Sequence, residues 1–214
     1  MKRIIVLLIA VVAVLLPDAA SAQFNLSGVL NSLFGGQKSQ TEEQTPNQTV
    51  DPYEAIAQAA PSARDILGTW TYDSAEAEYL GTNVLADLAI SQVEGYVMQK
   101  VESYGITRGS FTILLRRNGT GVITWGSRTL DGRYKYNPET GAITVTGVLN
   151  GATLSCSGYV KMEGGKLVAL VDANEALAAF KTAYPEYANH QLLLSVSAVA
   201  QQFSGIYGAA TFTK

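Results

Sequence analysis

Ser110-Phe-Thr-Ile-Leu-Leu-Arg-Arg-Asn-Gly-Thr-Gly-Val-Ile-Thr-Trp125 is two β-prone runs broken by Asn118-Gly119. The same grammar repeats downstream. Asn150-Gly151 precedes Thr153-Leu-Ser-Cys-Ser-Gly-Tyr-Val160, and Gly164-Gly165 leads into Lys166-Leu-Val-Ala-Leu-Val171. Asn-Gly favours positive φ at both central residues, so these pairs are expected to close two-residue hairpins. Two further runs, Thr129 to Tyr136 and Ala142 to Leu149, are joined by Asn137-Pro-Glu-Thr-Gly141, a longer turn. Hairpins in series make an antiparallel meander.

Working outward, Ile66 to Tyr72 reads as a first strand and Ile206 to Thr213 as a last one. The total of about eight is the smallest number that closes an up-and-down barrel able to hold one small ligand. The fold class is therefore mostly β, an antiparallel up-and-down barrel with helical insertions after the first strand and before the last. The first insertion runs from about Asn83, an N-cap type, to Tyr104, with Gly105 placed for a helix end. Leu85, Ala89, Val93, Tyr96, Val97, Val101 and Tyr104 share one face, so this helix should lie on the barrel's mouth or side. The second insertion divides into Asn174 to Ala183, stopped by Pro185, and about Glu186 to Ser204, stopped by Gly205.

Residues 1–22 read as a secretory leader. Lys2-Arg3 precede an apolar run from Ile4 to Leu16, and Ala20-Ser21-Ala22 supplies a cleavage site before Gln23. The apolar run is short for a bilayer, and no second run of spanning length follows. Export to the periplasm or the cell exterior is expected, with no membrane span after cleavage. Residues 23–59 carry a short amphipathic segment (24–34), a polar Gln/Thr/Glu/Asn/Pro linker and a lead-in helix from Asp51 to Ala60. Residues 60–214 form the barrel domain. The formal charge is −3, and losing Lys2, Arg3 and Asp18 makes it one unit more negative. Nothing here resembles the basic stripe of a nucleic-acid binder.

Catalytic parts are few. His190 is the only histidine and has no cysteine or carboxylate at ligand spacing, so no metal is expected. No Gly-x-Ser-x-Gly elbow is present. Gly119-Thr-Gly121 lies inside a hairpin, where a phosphate loop would stand between strand and helix. Asp73, Glu76 and Glu78 read as a solvated acidic loop after the first strand. Cys156 shares strand parity with Leu154, Val160 and Met162, which makes it a buried, inert thiol. The expectation is a protein that is not an enzyme and has no cofactor.

Binding chemistry is better represented. Trp125, Tyr134 and Tyr136, with Phe111 and Ile113, are the candidate ligand-binding residues. Parity puts Tyr134 and Tyr136 on one face of their strand and Arg133 and Lys135 on the other, so these four cannot serve one cavity.

A family resemblance rests on Leu67-Gly68-Thr69-Trp70, on Ser110 to Gly121, and on Tyr207-Gly208. The chain resembles a secreted lipocalin-like family of unknown function from Bacteroidetes, over about Ala60 to Lys214. The resemblance implies a calycin barrel in which Gly68 and Trp70 are the structural signature and Trp70 closes the base. The chain departs from the usual pattern in lacking a Thr-Asp-Tyr motif and a C-terminal arginine to pack on Trp70. Only Lys214 is available for that place. The implied function is carriage or sensing of a small apolar or amphipathic ligand, with the 83–104 helix gating access. The rival reading is a structural module of the cell envelope with a packed core, tethered to a protein partner by its N-terminal segment.

Overall fold

The computed structural model describes residues 51–81, 105–149, 151–189 and 205–214, with the helical positions Ile90, Met98, Glu102, Leu193, Leu194, Ser197, Ala200 and Gln201. The expected leader, the 24–34 segment, the polar linker up to residue 50, His190 and all seven residues of the 83–104 stripe lie outside the described residues.

Eight strands close into one barrel in chain order, each antiparallel to the next and the last paired with the first. They are β1 (Gly68–Tyr79), β2 (Phe111–Leu115), β3 (Thr120–Trp125), β4 (Arg128–Tyr136), β5 (Ala142–Leu149), β6 (Ala152–Glu163), β7 (Lys166–Asp172) and β8 (Ile206–Thr213). Among the described residues two α-helices can be bounded, α1 (Pro52–Gln58) and α2 (Ala173–Ala183). Pro185–Tyr187 is a 3₁₀ turn, so no α-helix begins at Glu186 as expected. Among the described residues the next helical position is Leu193.

The turns show how local chemistry sets register. Gly164 and Gly165 both take positive φ (54° and 79°) between the paired Glu163 and Lys166, as a two-residue hairpin requires. The Asn118-Gly119 turn departs from expectation. Arg116 N–H donates to Thr120 O (2.9 Å) and Gly119 N–H to Arg116 O (3.0 Å), which leaves three residues in the loop. The reason is the Asn118 side chain. Its Oδ1 accepts from Thr120 N–H (3.1 Å) and from Thr120 Oγ1 (2.7 Å), an Asx-type turn that competes with the two-residue form.

β1 also runs further than expected. Asp73, Glu76 and Glu78 are strand residues, and the reading of them as a loop is corrected. Register shifts between Tyr72 and Ser74, a bulge that places Asp73. Beyond it the pairing Ala75↔Ala210, Ala77↔Gly208 and Tyr79↔Ile206 turns the small residues inward. Glu76 and Glu78 face out, where Glu78 meets Lys161 at 2.8 Å. Alanine's low β propensity hides this half-strand, because its burial depends on partners across the barrel.

The base is closed by the segment before β1. Ile66 is buried against Trp70, whose indole Nε1 donates to Ile66 O (2.8 Å). Tyr136 OH donates to Pro61 O (2.6 Å). Lys214 Nζ sits 4.7 Å from the centre of the Trp70 ring and donates to Asp65 O (3.2 Å). Lysine thus fills the place of the missing arginine. Both long connections, β1 to β2 and β7 to β8, leave from the opposite end. There Ile90, Leu193 and Ala200 are helical and buried in the barrel's main core. Over β6, Ala176, Ala179 and Ala183 of α2 pack on Leu154 and Cys156. On the outside, Ile56 of α1 covers Val168, Leu170 and Ala209. β7 is therefore buried on both faces, which explains why Leu167 to Val171 is an unbroken apolar run.

The bulge residue supplies one pH-dependent contact. Asp73 accepts from Lys166 Nζ (2.6 Å) and Arg108 Nε (2.7 Å), tying β1 to the β6–β7 hairpin and to the residues before β2. Donation from Lys166 chiefly, then the Arg108 charge, holds its carboxyl below the usual range despite partial desolvation. A lowered native pKa gives stability that is fully present above the unfolded carboxylate value of about 4 and is lost as pH falls through the native one. Asp73→Asn should narrow the difference in urea stability between pH 7 and pH 3. An unchanged difference would remove this pair from the account.

Candidate functional site: a cavity in the barrel

Strand register decides what faces inward. Ile113↔Ile123, Ile123↔Leu130, Tyr134↔Val145 and Val145↔Cys156 are direct partners and share the inner face. These side chains, with Leu115, Ile143, Leu154, Val160, Leu167, Ala169 and Phe212, wall a cavity of about 120 Å³. Its wall is almost wholly apolar.

The space arises from glycine. Gly121 pairs with Gly132, and Gly132 with Gly147, so three neighbouring strands present no side chain at one level of the inner face. Val145 points inward beside this row and still keeps 38% of its surface free. A tightly packed interior would leave far less. This glycine row was missed in the sequence, although each member stands at an inward parity position, where a strand glycine signals a bend or a close approach.

Of the five candidate ligand contacts, the cavity brings together Ile113 and Tyr134. Phe111 lies in an aromatic stack instead, with ring centroids 4.5 Å from Tyr72 and 5.8 Å from Phe212. Tyr136 sits at the base on Pro61, where burial first and the Asp65 charge second push its hydroxyl up to about 12. Trp125, the last residue of β3, packs half-buried at the mouth end. Tyr134 spends its hydroxyl on Arg116 O (2.8 Å) and offers the cavity only its ring. Arg133 and Lys135 are exposed on the outer face, as their parity requires. Gly68 starts β1 at φ 113°, and Trp70 is 2% exposed at the base, away from the cavity wall.

Cys156 is the one thiol on the wall. Burial first, then the charges of Glu175 and Asp172, push it up to about 12, so it stays protonated at neutral pH. Among the described residues no cluster of three His, Cys, Asp or Glu side chains could hold a metal, and no helix is long and apolar enough to cross a membrane. The arrangement can exclude water and surround an apolar group. The one charged residue in its lining, Arg133, turns its side chain to the outer face.

Comparison with known proteins agrees with this architecture. No curated protein and no solved structure matches the chain significantly. Residues 41–214 match the lipocalin-like domain family (DUF4923), a span that contains all eight strands and both helices, and the chain belongs to that family.

Proposed function

We propose that the protein is an exported, non-catalytic carrier or sensor of a small apolar or amphipathic ligand, acting in the periplasm or outside the cell. The observation that carries this reading is the hollow at mid-barrel, walled by apolar side chains and bordered by the glycine row. Its size selects the ligand. At about 120 Å³ it is near the ~150 Å³ of an engineered cavity that takes benzene, and well below the ~300–1,000 Å³ of sites for drug-sized molecules. The occupant is a narrow moiety, such as one aromatic ring or a short stretch of alkyl chain. The affinity comes from apolar burial, about 25 cal/mol per Å² before the costs of ordering.

Native mass spectra of detergent-free protein, before and after delipidation, test this reading. A discrete adduct that delipidation removes and a lipid extract restores is the expected result. Val145→Phe fills the free space beside the glycine row. It should weaken binding about tenfold or more, the ratio that about 1.4 kcal/mol represents, while leaving the melting temperature equal or higher. Bare protein under every condition would favour a structural module over a carrier.

A further inference from the structure

The barrel wall has a seam. β4 begins at Arg128 and β5 ends at Leu149, yet their pairing runs only from Tyr136↔Ile143 to Gly132↔Gly147. Beyond that point Arg128–Asp131 stay paired to β3, and Val148 and Leu149 to β6, and among the described residues no strand pair crosses the gap. The last paired residues are two glycines, which have no side chains to cover the opening.

A groove of about 610 Å³ lies over this seam on the outer surface. It and the inner cavity share Gly132, Arg133, Thr146 and Gly147, so the two spaces sit back to back across the same stretch of wall. Most of the groove's surface is apolar too, but unlike the cavity it is rimmed by charged and polar side chains. Arg116 and Arg133 line it with Asn118, Thr120 and Thr146, and Asp131 is its one carboxylate. Both arginines are exposed, and among the described residues neither makes an ion pair. At the mouth, by contrast, Ile90, Leu193 and Ala200 are packed into the core.

We propose that ligand passes through the β4–β5 seam and that it is a single-chain amphiphile with an anionic head. The tail occupies the cavity and the head lies in the groove against Arg116 and Arg133. Two arginines facing one carboxylate leave a net positive groove, and guanidinium forks match carboxylate or phosphate geometry. This inference rests on the cavity being a binding site, and the test separates the two.

The full exported chain is titrated with octanoate, octan-1-ol and octylamine, three probes with one tail and different heads. Octanoate is expected to bind at least about tenfold tighter than either of the others, the ratio of one charge-assisted contact. Arg133→Gln and Arg116→Gln should each remove most of that advantage and leave octan-1-ol binding unchanged. Both are surface changes, and a melting curve checks that folding is intact. For the route, Asp131→Cys with Val148→Cys, bridged by dibromobimane, spans the gap. NMR line shapes of carbon-13-labelled octanoate should then show exchange slowed about tenfold relative to the unbridged double variant. Equal binding of the three heads, arginine variants without effect, or exchange unaltered by the bridge would overturn the inference and leave the carrier reading standing. Failure of all three probes to bind the wild-type chain would sink the carrier reading, and this inference with it.

Discussion

Gly158→Ala is expected to prevent the barrel from closing. Gly158 pairs with Val171 at mid-barrel, and a Cβ built on it would run into the Leu170 carbonyl oxygen and close on the Leu170 carbonyl carbon (2.9 Å). The obstacle is backbone, so no side chain can swing aside, and β6 must separate from β7. Overpacking of a core usually costs about 1–3 kcal/mol, and a clash that breaks a ladder belongs at or above the top of that range. Urea unfolding should therefore show a loss of about 3 kcal/mol or more, or no folded protein at all. Gly147→Ala is the control. Its Cβ would meet only Asp131 O, at 3.7 Å, and its stability should stay within about 1 kcal/mol of wild type. Equal behaviour of the two variants would show that the tight curl of β6 over β7 is not needed for closure.

Trp70→Ala is the second large effect. The side chain is 2% exposed, donates to Ile66 O and lies under Lys214. Truncating a buried tryptophan costs about 3–5 kcal/mol, because the surrounding wall relaxes only in part. It would also release the 61–67 segment that closes the base. Lys214→Gln removes the cation above the ring and the Nζ donor to Asp65 O, and should cost about 0.5–1 kcal/mol. The two urea curves separate a packing role from an electrostatic one. A loss of under about 1 kcal/mol for Trp70→Ala would mean that the base is held by other contacts. Neither residue lines the cavity, so ligand affinity in the folded Lys214→Gln variant should match wild type.

Much of the barrel was legible residue by residue. The bounds of β5 and β8 agree with the runs read from Ala142 to Leu149 and Ile206 to Thr213. Tyr134 and Arg133 take opposite faces and Cys156 is buried, as alternation along their strands implied. Lys214 took the place that the absence of a C-terminal arginine left open. Legibility ended where a residue's role depends on what stands opposite it. Ala75 and Ala77 carry little β propensity, and only β8 makes them strand. Asn118 chose an Asx turn because Thr120 offered two donors to one oxygen.

The sequence by itself determined the order of strands and the alternation of faces along most of them, and the family resemblance implied that Trp70 closes the base. The first two follow from a period of two and from turn residues, and both are local. Only the tertiary structure decided that the barrel is hollow and that its wall has a seam. A cavity is what remains after eight strands have been packed against one another. Gly121, Gly132 and Gly147 are ordinary strand glycines until the register aligns them, and then three absent side chains become one space.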